Sequence, residues 1–217
     1  MGYFYIYGLI FGLGSTLVCW SVLWILTKYH RGVLAVDLPN QRSLHSIPTP
    51  RGGGIVIAGT LVAATISLMF LTSGMETNLL AFGASVLVLS ILGWLDDQTG
   101  LKITTKLIVE CLIGVIALWL IQPGAYIQVF SGKPVAVMPF MAISLSLVWI
   151  IWMTNVYNFM DGIDGFVASQ AILSSTVIAG WLLFHGDVTI ALMCLSLGGA
   201  GIGFLFFNWA PAKIFLG

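Results

Sequence analysis

Charged residues are scarce in this 217-residue sequence, and their scarcity excludes most soluble proteins. Only 7% of the residues are charged and 59% are hydrophobic, whereas soluble globular domains carry about 25% charged residues. Eight Lys and Arg balance eight Asp and Glu, so the chain lacks the basic excess of proteins that bind nucleic acid. The composition predicts an integral membrane protein with no nucleic-acid partner.

Cysteine is also rare, and the start of the chain lacks positive charge. Cys19, Cys111 and Cys194 each stand alone in an apolar run, so we expect them to be small packing residues rather than metal ligands. Residues 1–4 lack the positive region of a cleavable signal peptide, so the first apolar run should remain in the protein as a helix.

Long apolar runs dominate the rest of the sequence. Crossing the hydrocarbon part of a membrane takes about 20 apolar residues. On that measure we predict seven transmembrane helices, at residues 3–26, 54–72, 78–95, 105–121, 136–154, 166–184 and 188–208. The predicted fold is an all-α, polytopic membrane helix bundle that forms a single domain over residues 1–217.

The basic residues lie almost entirely in alternate connections between these helices. The connections after helices one, three, five and seven hold Lys28, Arg31, Arg42, Arg51, Lys102, Lys106 and Lys213. Only Lys133 lies on the other side. Because cytoplasmic loops are rich in Lys and Arg, we predict an external N-terminus and a cytoplasmic C-terminus. Most acidic residues share the cytoplasmic side, so we expect the chemistry there.

A cluster of polar residues follows the fifth predicted helix. Asn155, Asn158, Asp161 and Asp164 recur at every third position, which spreads them along one side of a helix. Their oxygens suit Mg²⁺ and its phosphates, and such polar groups are costly at a membrane boundary unless something uses them. A helix cap is the alternative. Because a cap needs one or two such residues rather than four, we favour a functional site.

Two acidic residues, Asp96 and Asp97, follow the third predicted helix. Adjacent carboxylates repel each other and hold a proton more readily unless a cation neutralises them, as in metal or acid–base sites. An ordinary solvated turn remains the alternative. Further along, Glu110 lies four residues after Lys106, so we expect these two side chains to form an ion pair on one helix face.

The first cytoplasmic loop carries groups that suit phosphate. Arg42, His45 and Arg51 would neutralise phosphate oxygens, and the glycines at 52–54 would expose backbone N–H groups beside a helix N-terminus. Topology signals and close packing explain the same residues equally well. Together with the acids and amides on the same side, however, the loop suggests phosphoryl transfer to an acceptor carried by a lipid.

Three runs of the sequence resemble one known family along the whole chain. They are Pro-Asn-x-Arg with His-x-x-Pro-Thr-Pro-Arg-Gly-Gly over 39–53, Asp-Asp-x-x-Gly-Leu over 96–101, and Asn-x-x-Asn-Phe-Met-Asp-Gly-Ile-Asp-Gly over 155–165. These runs resemble the polyprenyl-phosphate N-acetylhexosamine-1-phosphate transferases, glycosyltransferase family 4. The Asn-Phe-Met-Asp sequence at 158–161 is most similar to the branch that initiates O-antigen synthesis, since the peptidoglycan branch usually has Leu-Thr in this run.

The resemblance implies an enzyme that transfers a sugar 1-phosphate from a UDP-N-acetylhexosamine to undecaprenyl phosphate with Mg²⁺ and releases UMP. By position, Asp96 resembles the residue proposed to deprotonate the lipid phosphate, with Asp97 as its supporting partner. Asn158 resembles a Mg²⁺ ligand, Asp164 lies where uracil is held, and Asp161 would orient the cations and the diphosphate. Direct attack and a covalent enzyme intermediate both remain open.

The resemblance also implies a location and an assembly. We expect a multi-pass protein of the bacterial inner membrane with a cytoplasmic active site, in contact with membrane lipid, and the resemblance implies a homodimer.

The family pattern continues beyond a segment similar to residues 208–217. There it has an Asp-x-Gly-Ser motif, whose Asp is the second Mg²⁺ ligand, further helices, and a loop rich in His and Arg. We therefore expect residues 1–217 to match about the N-terminal two-thirds of the family fold and to have little activity alone. A non-catalytic membrane protein of the same lineage and a transporter are the alternatives.

Overall fold

The computed structural model describes residues 2–29, 34–37, 48–121, 126–127 and 135–217. Within these ranges seven α-helices are long and apolar enough to cross a membrane. They are α1 (Gly2–Tyr29), α2 (Gly53–Leu71), α3 (Glu76–Thr99), α4 (Ile103–Ile121), α5 (Pro139–Met160), α6 (Phe166–His185) and α7 (Val188–Asn208). The prediction of an all-α, polytopic bundle with seven transmembrane helices is confirmed.

Two very short antiparallel ladders accompany the helices. Strand β1 (Val36–Asp37) pairs with β2 (Thr49–Pro50), just before α2. Strand β3 (Tyr126–Ile127) pairs with β4 (Val135–Ala136), between α4 and α5. Two-residue strands bury little, so these ladders tie connections together without adding a layer to the fold.

Helix α7 lies at the centre of the bundle and packs against α1, α2 and α6. Its Phe204 is fully buried, in a cluster with Leu23 of α1 and Ala168 of α6. A Cβ atom on Gly199 would lie 2.1 Å from the Gly12 carbonyl oxygen of α1, so the two helices approach at backbone distance. Glycine allows this approach, as small residues commonly do between membrane helices.

The chain after α7 turns back to the start of α2. The Phe215 N–H donates to the Pro50 carbonyl at 2.8 Å, and the Gly53 and Gly54 N–H groups donate to the carbonyls of Phe215 and Leu216 at 2.9 and 2.7 Å. Residues 213–217 thereby lie beside the β1–β2 ladder, at the end of the bundle where α3 ends.

Two predicted helix ends were wrong. We predicted that the third helix ends at 95 and the fifth at 154, but α3 continues to Thr99 and α5 to Met160. Polar side chains do not stop a helix by themselves. Helix α3 ends instead at Gly100, which has a φ of 62° and donates its N–H to the Asp96 carbonyl. Asp96, Asp97, Asn155 and Asn158 therefore lie on helices rather than in loops.

Candidate active site

Asp96 lies in the last turn of α3 and contacts the first turn of α4. Its Oδ2 is 2.6 Å from Lys106 Nζ, and its Oδ1 accepts a hydrogen bond from the Leu101 N–H at 2.9 Å. The short turn after Gly100 brings Lys106 to this carboxylate. The predicted ion pair between Lys106 and Glu110 was therefore wrong, because Lys106 extends toward the polar end of the helices and Glu110 lies one turn deeper.

Asp97 contacts the β1–β2 ladder. Its Oδ1 lies 3.8 Å from Arg51 Nη1, and Arg51 Nη2 lies 3.0 Å from Asp37 Oδ2. The Arg51 backbone N–H also donates to the Ala35 carbonyl at 2.7 Å. Arg51 thus joins the acidic end of α3 to the segment that precedes α2.

Asn158 in the last turn of α5 and Asp161, the residue just after its end, add an amide and a third carboxylate to this region. Asp161 Oδ2 accepts a hydrogen bond from the Gly217 N–H at 3.2 Å. Burial raises the pKa of the Asp161 carboxyl to about 6, against the opposing effects of the Gly217 N–H and the Arg51 charge, while the Asp97 charge raises it further. The Asp161 carboxyl therefore holds a proton more readily than an exposed Asp side chain does.

These groups share one cavity of about 250 Å³ at one end of the bundle. The ends of α3 and α5, the start of α4 and residues 216–217 form its walls. Its polar lining consists of Asp96, Asp97, Lys106, Glu110, Thr154, Tyr157, Asn158 and Asp161. The structure thus brings together Asp96, Asp97, Asn158 and Asp161 from separate helices, as the sequence predicted, with Arg51 in contact through Asp97.

Asp164 does not line this cavity. Its Oδ2 accepts a hydrogen bond from the Ala212 N–H at 2.9 Å. Nearby, Asn208 is 3% exposed, and its side chain accepts from the Gly165 N–H at 2.9 Å and donates to the Ile214 carbonyl at 3.0 Å. Asp164 and Asn208 therefore fasten the turn after α5 to the segment after α7.

The glycines at the start of α2 are used for packing. The Gly53 and Gly54 N–H groups donate to the backbone of residues 215–216, and a Cβ on Gly53 would lie 2.2 Å from the Phe204 ring. Of the two alternatives left open by the sequence, close packing therefore holds for Gly53 and Gly54, because the returning chain binds their N–H groups. Arg42 and His45, the other predicted phosphate-binding residues, lie outside the described residues.

The donor set of the cavity fits Mg²⁺ as a partial site. Among the described residues, no three Asp, Glu, His or Cys side chains form a complete metal site. Mg²⁺ usually keeps several waters and takes one or two carboxylates together with substrate phosphates. The amide oxygen of Asn158 and the carboxylates of Asp97 and Asp161, which line the same cavity, match that requirement.

A family model of known proteins matches residues 79–217, and the family is glycosyl transferase family 4. The chain belongs to this family. The matched region includes the ends of α3 and α5 and the segment after α7, which together form the cavity. The resemblance predicted from the three sequence runs is therefore confirmed for the family, whereas the O-antigen branch stays a prediction.

Individual relatives agree with the family match. The chain is 34% identical over 186 residues to a probable undecaprenyl-phosphate N-acetylglucosaminyl 1-phosphate transferase of Bacillus subtilis (strain 168), covering 84% of this chain and 50% of the relative. It is 32% identical over 180 residues to a phospho-N-acetylmuramoyl-pentapeptide-transferase of Streptococcus pneumoniae serotype 19F (strain G54), covering 78% of this chain and 54% of that relative. A decaprenyl-phosphate N-acetylglucosaminephosphotransferase of Mycobacterium tuberculosis (strain CDC 1551 / Oshkosh) is 30% identical over 198 residues, which cover 84% of this chain and 49% of that relative. The chain spans about half the length of these relatives.

Sequence reasoning missed two residues that shape the site. Lys106 is the cation at Asp96, and the short connection between α3 and α4 was the signal for it. Asn208 had no local signal, because its two partners lie 43 and 6 residues away.

Proposed function

We propose that this member of glycosyl transferase family 4 transfers an N-acetylhexosamine 1-phosphate from a UDP-sugar to undecaprenyl phosphate and releases UMP. The observation that carries the proposal is the shared cavity, in which Asp96, Asp97, Asn158 and Asp161 meet between the ends of α3 and α5. The matched transferases act on polyprenyl phosphates by their names, which supports the same acceptor class here. The Asn-Phe-Met-Asp run at 158–161 supports the O-antigen-initiating branch.

The position of the cavity suits an acceptor held in the membrane. It lies where apolar helices end, so a lipid phosphate would reach Asp96 while its isoprenoid tail stays in the bilayer. Seven of the eight basic residues are predicted on this side, which supports a cytoplasmic site in the inner membrane. A nucleotide sugar made in the cytoplasm would then have direct access.

Three charged residues at or beside the cavity, Asp96, Lys106 and Arg51, have roles in the transfer step of this proposal. Asp96 would accept the proton of the lipid phosphate, a task for which a carboxylate is adequate because the second pKa of a phosphate is about 6. Lys106, now paired with Asp96 at 2.6 Å, would offer its charge to the incoming phosphate. Arg51 would do the same beside Asp97.

Asn158, with Asp97 and Asp161, would hold Mg²⁺. The chemistry that the ion supplies is neutralisation of the diphosphate and of the departing UMP. Burial is the main cause of the raised pKa of Asp161, and a cation bound beside this carboxyl would favour its charged form.

The test is a transfer assay in membranes from cells that express the complete reading frame containing residues 1–217. Radiolabelled UDP-N-acetylglucosamine, UDP-N-acetylgalactosamine and UDP-N-acetylmuramoyl-pentapeptide are each offered with undecaprenyl phosphate, and the labelled lipid is measured. We expect one UDP-sugar to give product, with EDTA abolishing it.

The matched variants are Asp96→Asn and Asp187→Asn, the latter an exposed acid at the start of α7. Loss of the base should lower the rate at least about 100-fold, whereas Asp187→Asn should leave it unchanged. An Asp96→Asn protein with the unaltered rate, or no labelled lipid with any sugar, would refute the proposal.

A further inference from the structure

Helix α5 carries a large share of the candidate site although it buries none of its residues. Asn158 lies on it, and Asp161 follows directly after its end. Between helices in a membrane, lipid competes with side chains for apolar surface, so apolar contact alone holds an exposed helix weakly. Within the described residues, polar contacts are therefore the groups best able to set the rotation of α5 about its axis.

One polar contact joins α5 to its neighbour α4. The Asn155 side-chain N–H₂ donates to Glu110 Oε2 at 2.9 Å and to the Ile151 carbonyl of its own helix at 2.9 Å. With both hydrogens used, the Asn155 rotamer is fixed. Among the described residues, this is the one side-chain hydrogen bond between α5 and another helix.

Glu110 is well placed to act as the fixed partner. It is 8% exposed, and it lines the polar cavity. Asn155 lines a separate apolar groove of about 520 Å³ between α4 and α5. The Glu110–Asn155 hydrogen bond therefore lies at the boundary between the polar cavity and this groove, where a rotation of α5 would exchange the two surfaces.

The spacing of residues along α5 links the Glu110–Asn155 hydrogen bond to the position of Asn158 in the candidate site. Asn158 follows Asn155 by three residues, so both lie on the same side of the helix. A carboxylate at this depth of a membrane helix is costly unless it is hydrogen-bonded, and Lys106, its nearest cation in sequence, is paired with Asp96. Among the described residues, Asn155 is thus the side chain that hydrogen-bonds to Glu110.

We propose that Glu110 is a positioning residue, which through its hydrogen bond to Asn155 sets the rotation of α5 and so directs Asn158 and Asp161 toward Asp96 and Asp97. The role needs an acceptor oxygen and not a charge. Glu110→Gln keeps an acceptor for Asn155, whereas Glu110→Leu fills similar space without one. The inference rests on the proposed function for its activity measurement, but not for its measurement of helix rotation.

The first test measures rotation by thiol labelling. With Cys19, Cys111 and Cys194 replaced by Ser, single cysteines are placed at Tyr157, which lines the polar cavity, or at Val156, which lines the apolar groove. A charged, water-soluble maleimide is reacted with purified protein in lipid nanodiscs. Because thiolates form poorly in apolar surroundings, position 157 should react at least about tenfold faster than position 156.

We expect that ratio to persist with Glu110→Gln and to fall toward one with Glu110→Leu. Asn155→Leu, which removes the same hydrogen bond from the other helix, should reproduce the fall. Leu112→Ala, on the exposed side of α4, is the matched control and should change nothing. An unchanged ratio in both Glu110→Leu and Asn155→Leu would overturn the proposal.

The second test uses the transfer assay on the complete reading frame. Glu110→Gln should stay within about twofold of the parent rate, and Glu110→Leu should lose about tenfold, equivalent to 1.4 kcal/mol. Combining Glu110→Leu with Asn155→Leu should lose no more than the worse single variant, because both remove one interaction. If Glu110→Gln loses as much as Glu110→Leu, the charge is essential and the positioning role is refuted. If the parent itself transfers nothing, the proposed function fails, and the labelling ratio alone decides the role of Glu110.

Discussion

Helices α7 and α5 show two ways of holding a membrane helix in place. Helix α7 is surrounded by α1, α2 and α6, and its Phe204, Ala200 and Ser196 have no exposed surface. Helix α5 has no buried residue, and its described polar contact to another helix is the Asn155–Glu110 hydrogen bond. The candidate site lies on the α5 side.

The difference indicates that the bundle has two parts: a packed frame, formed by α1, α2, α6 and α7, and a polar site at the ends of α3 and α5. In the frame, close contact over large areas fixes geometry, so any change of volume is felt. Around the cavity, ion pairs and hydrogen bonds fix geometry, so volume matters less than the loss of a partner. The following predictions test that division, from the largest expected effect to the smallest.

Truncating a ring should matter far more in α7 than in α5. Phe204→Ala removes a fully buried ring and should lower the free energy of unfolding by about 3–5 kcal/mol. Phe159→Ala, whose ring is 89% exposed, should cost less than about 1 kcal/mol. Unfolding of the purified protein in mixed detergent micelles measures both. Equal losses would show that α5 is packed as tightly as α7.

Removing Asn208 should be costly because two buried backbone groups lose their partner at once. Each unsatisfied buried group costs about 1–3 kcal/mol, so Asn208→Ala should destabilise by about 2 kcal/mol or more. Ser196→Ala is the matched control and should cost under about 1 kcal/mol, since its fully buried hydroxyl donates, among the described residues, to the Leu192 carbonyl of its own helix. The same unfolding measurement compares them, and a loss in Asn208→Ala no larger than the control would contradict the bridging role.

Adding one methyl group should lower the stability at a tightly packed glycine of the frame and not at an open one. Gly199→Ala would place a Cβ against the Gly12 carbonyl of α1, whereas a Cβ on Gly14 would meet no neighbouring helix or side chain of the described residues within 4 Å. Overpacking costs about 1–3 kcal/mol, so Gly199→Ala should lower the unfolding midpoint and Gly14→Ala should not. If both variants unfold with the parent, α1 and α7 do not approach at backbone distance.

The smallest expected effect is a pH-dependent change of stability from Asp161. Its pKa is raised from 3.8 to about 6 in the folded protein, so the folded state binds the proton more tightly than the unfolded state. Below about pH 4 both states are protonated and the burial cost is absent; as pH rises toward about 6, stability is lost, and above it the loss is constant.

Asp161→Asn, which stays neutral, should therefore raise the unfolding temperature by a few degrees above about pH 7 and by almost nothing near pH 4. Thermal unfolding at the two pH values measures the difference. Asp187→Asn, an exposed acid, should show no such dependence, and a stabilisation of Asp161→Asn at the lower pH alone would contradict the sign of the shift.

Much of this arrangement was predictable from local sequence, and the exceptions share one cause. The helices were predictable because the thickness of the bilayer sets their length. The meeting of Asp96, Asp97, Asn158 and Asp161 followed from the alternation of helix direction, which places their helix ends on one side. The predicted partner of Lys106 was wrong, and the partner of the Gly53 and Gly54 N–H groups was left open. Contacts with residues outside the local sequence pattern decide both.

The sequence by itself determined that the described residues hold seven helices long and apolar enough to cross a membrane, and that the chain belongs to glycosyl transferase family 4. Apolar length and motif order are both local properties. Only the tertiary structure decided that Lys106 binds Asp96, that Glu110 binds Asn155, and that Asn208 joins the turn after α5 to the segment after α7. The reason is physical: a polar group in an apolar bundle takes the partner that packing brings within hydrogen-bond distance, whichever residue is near it in the chain.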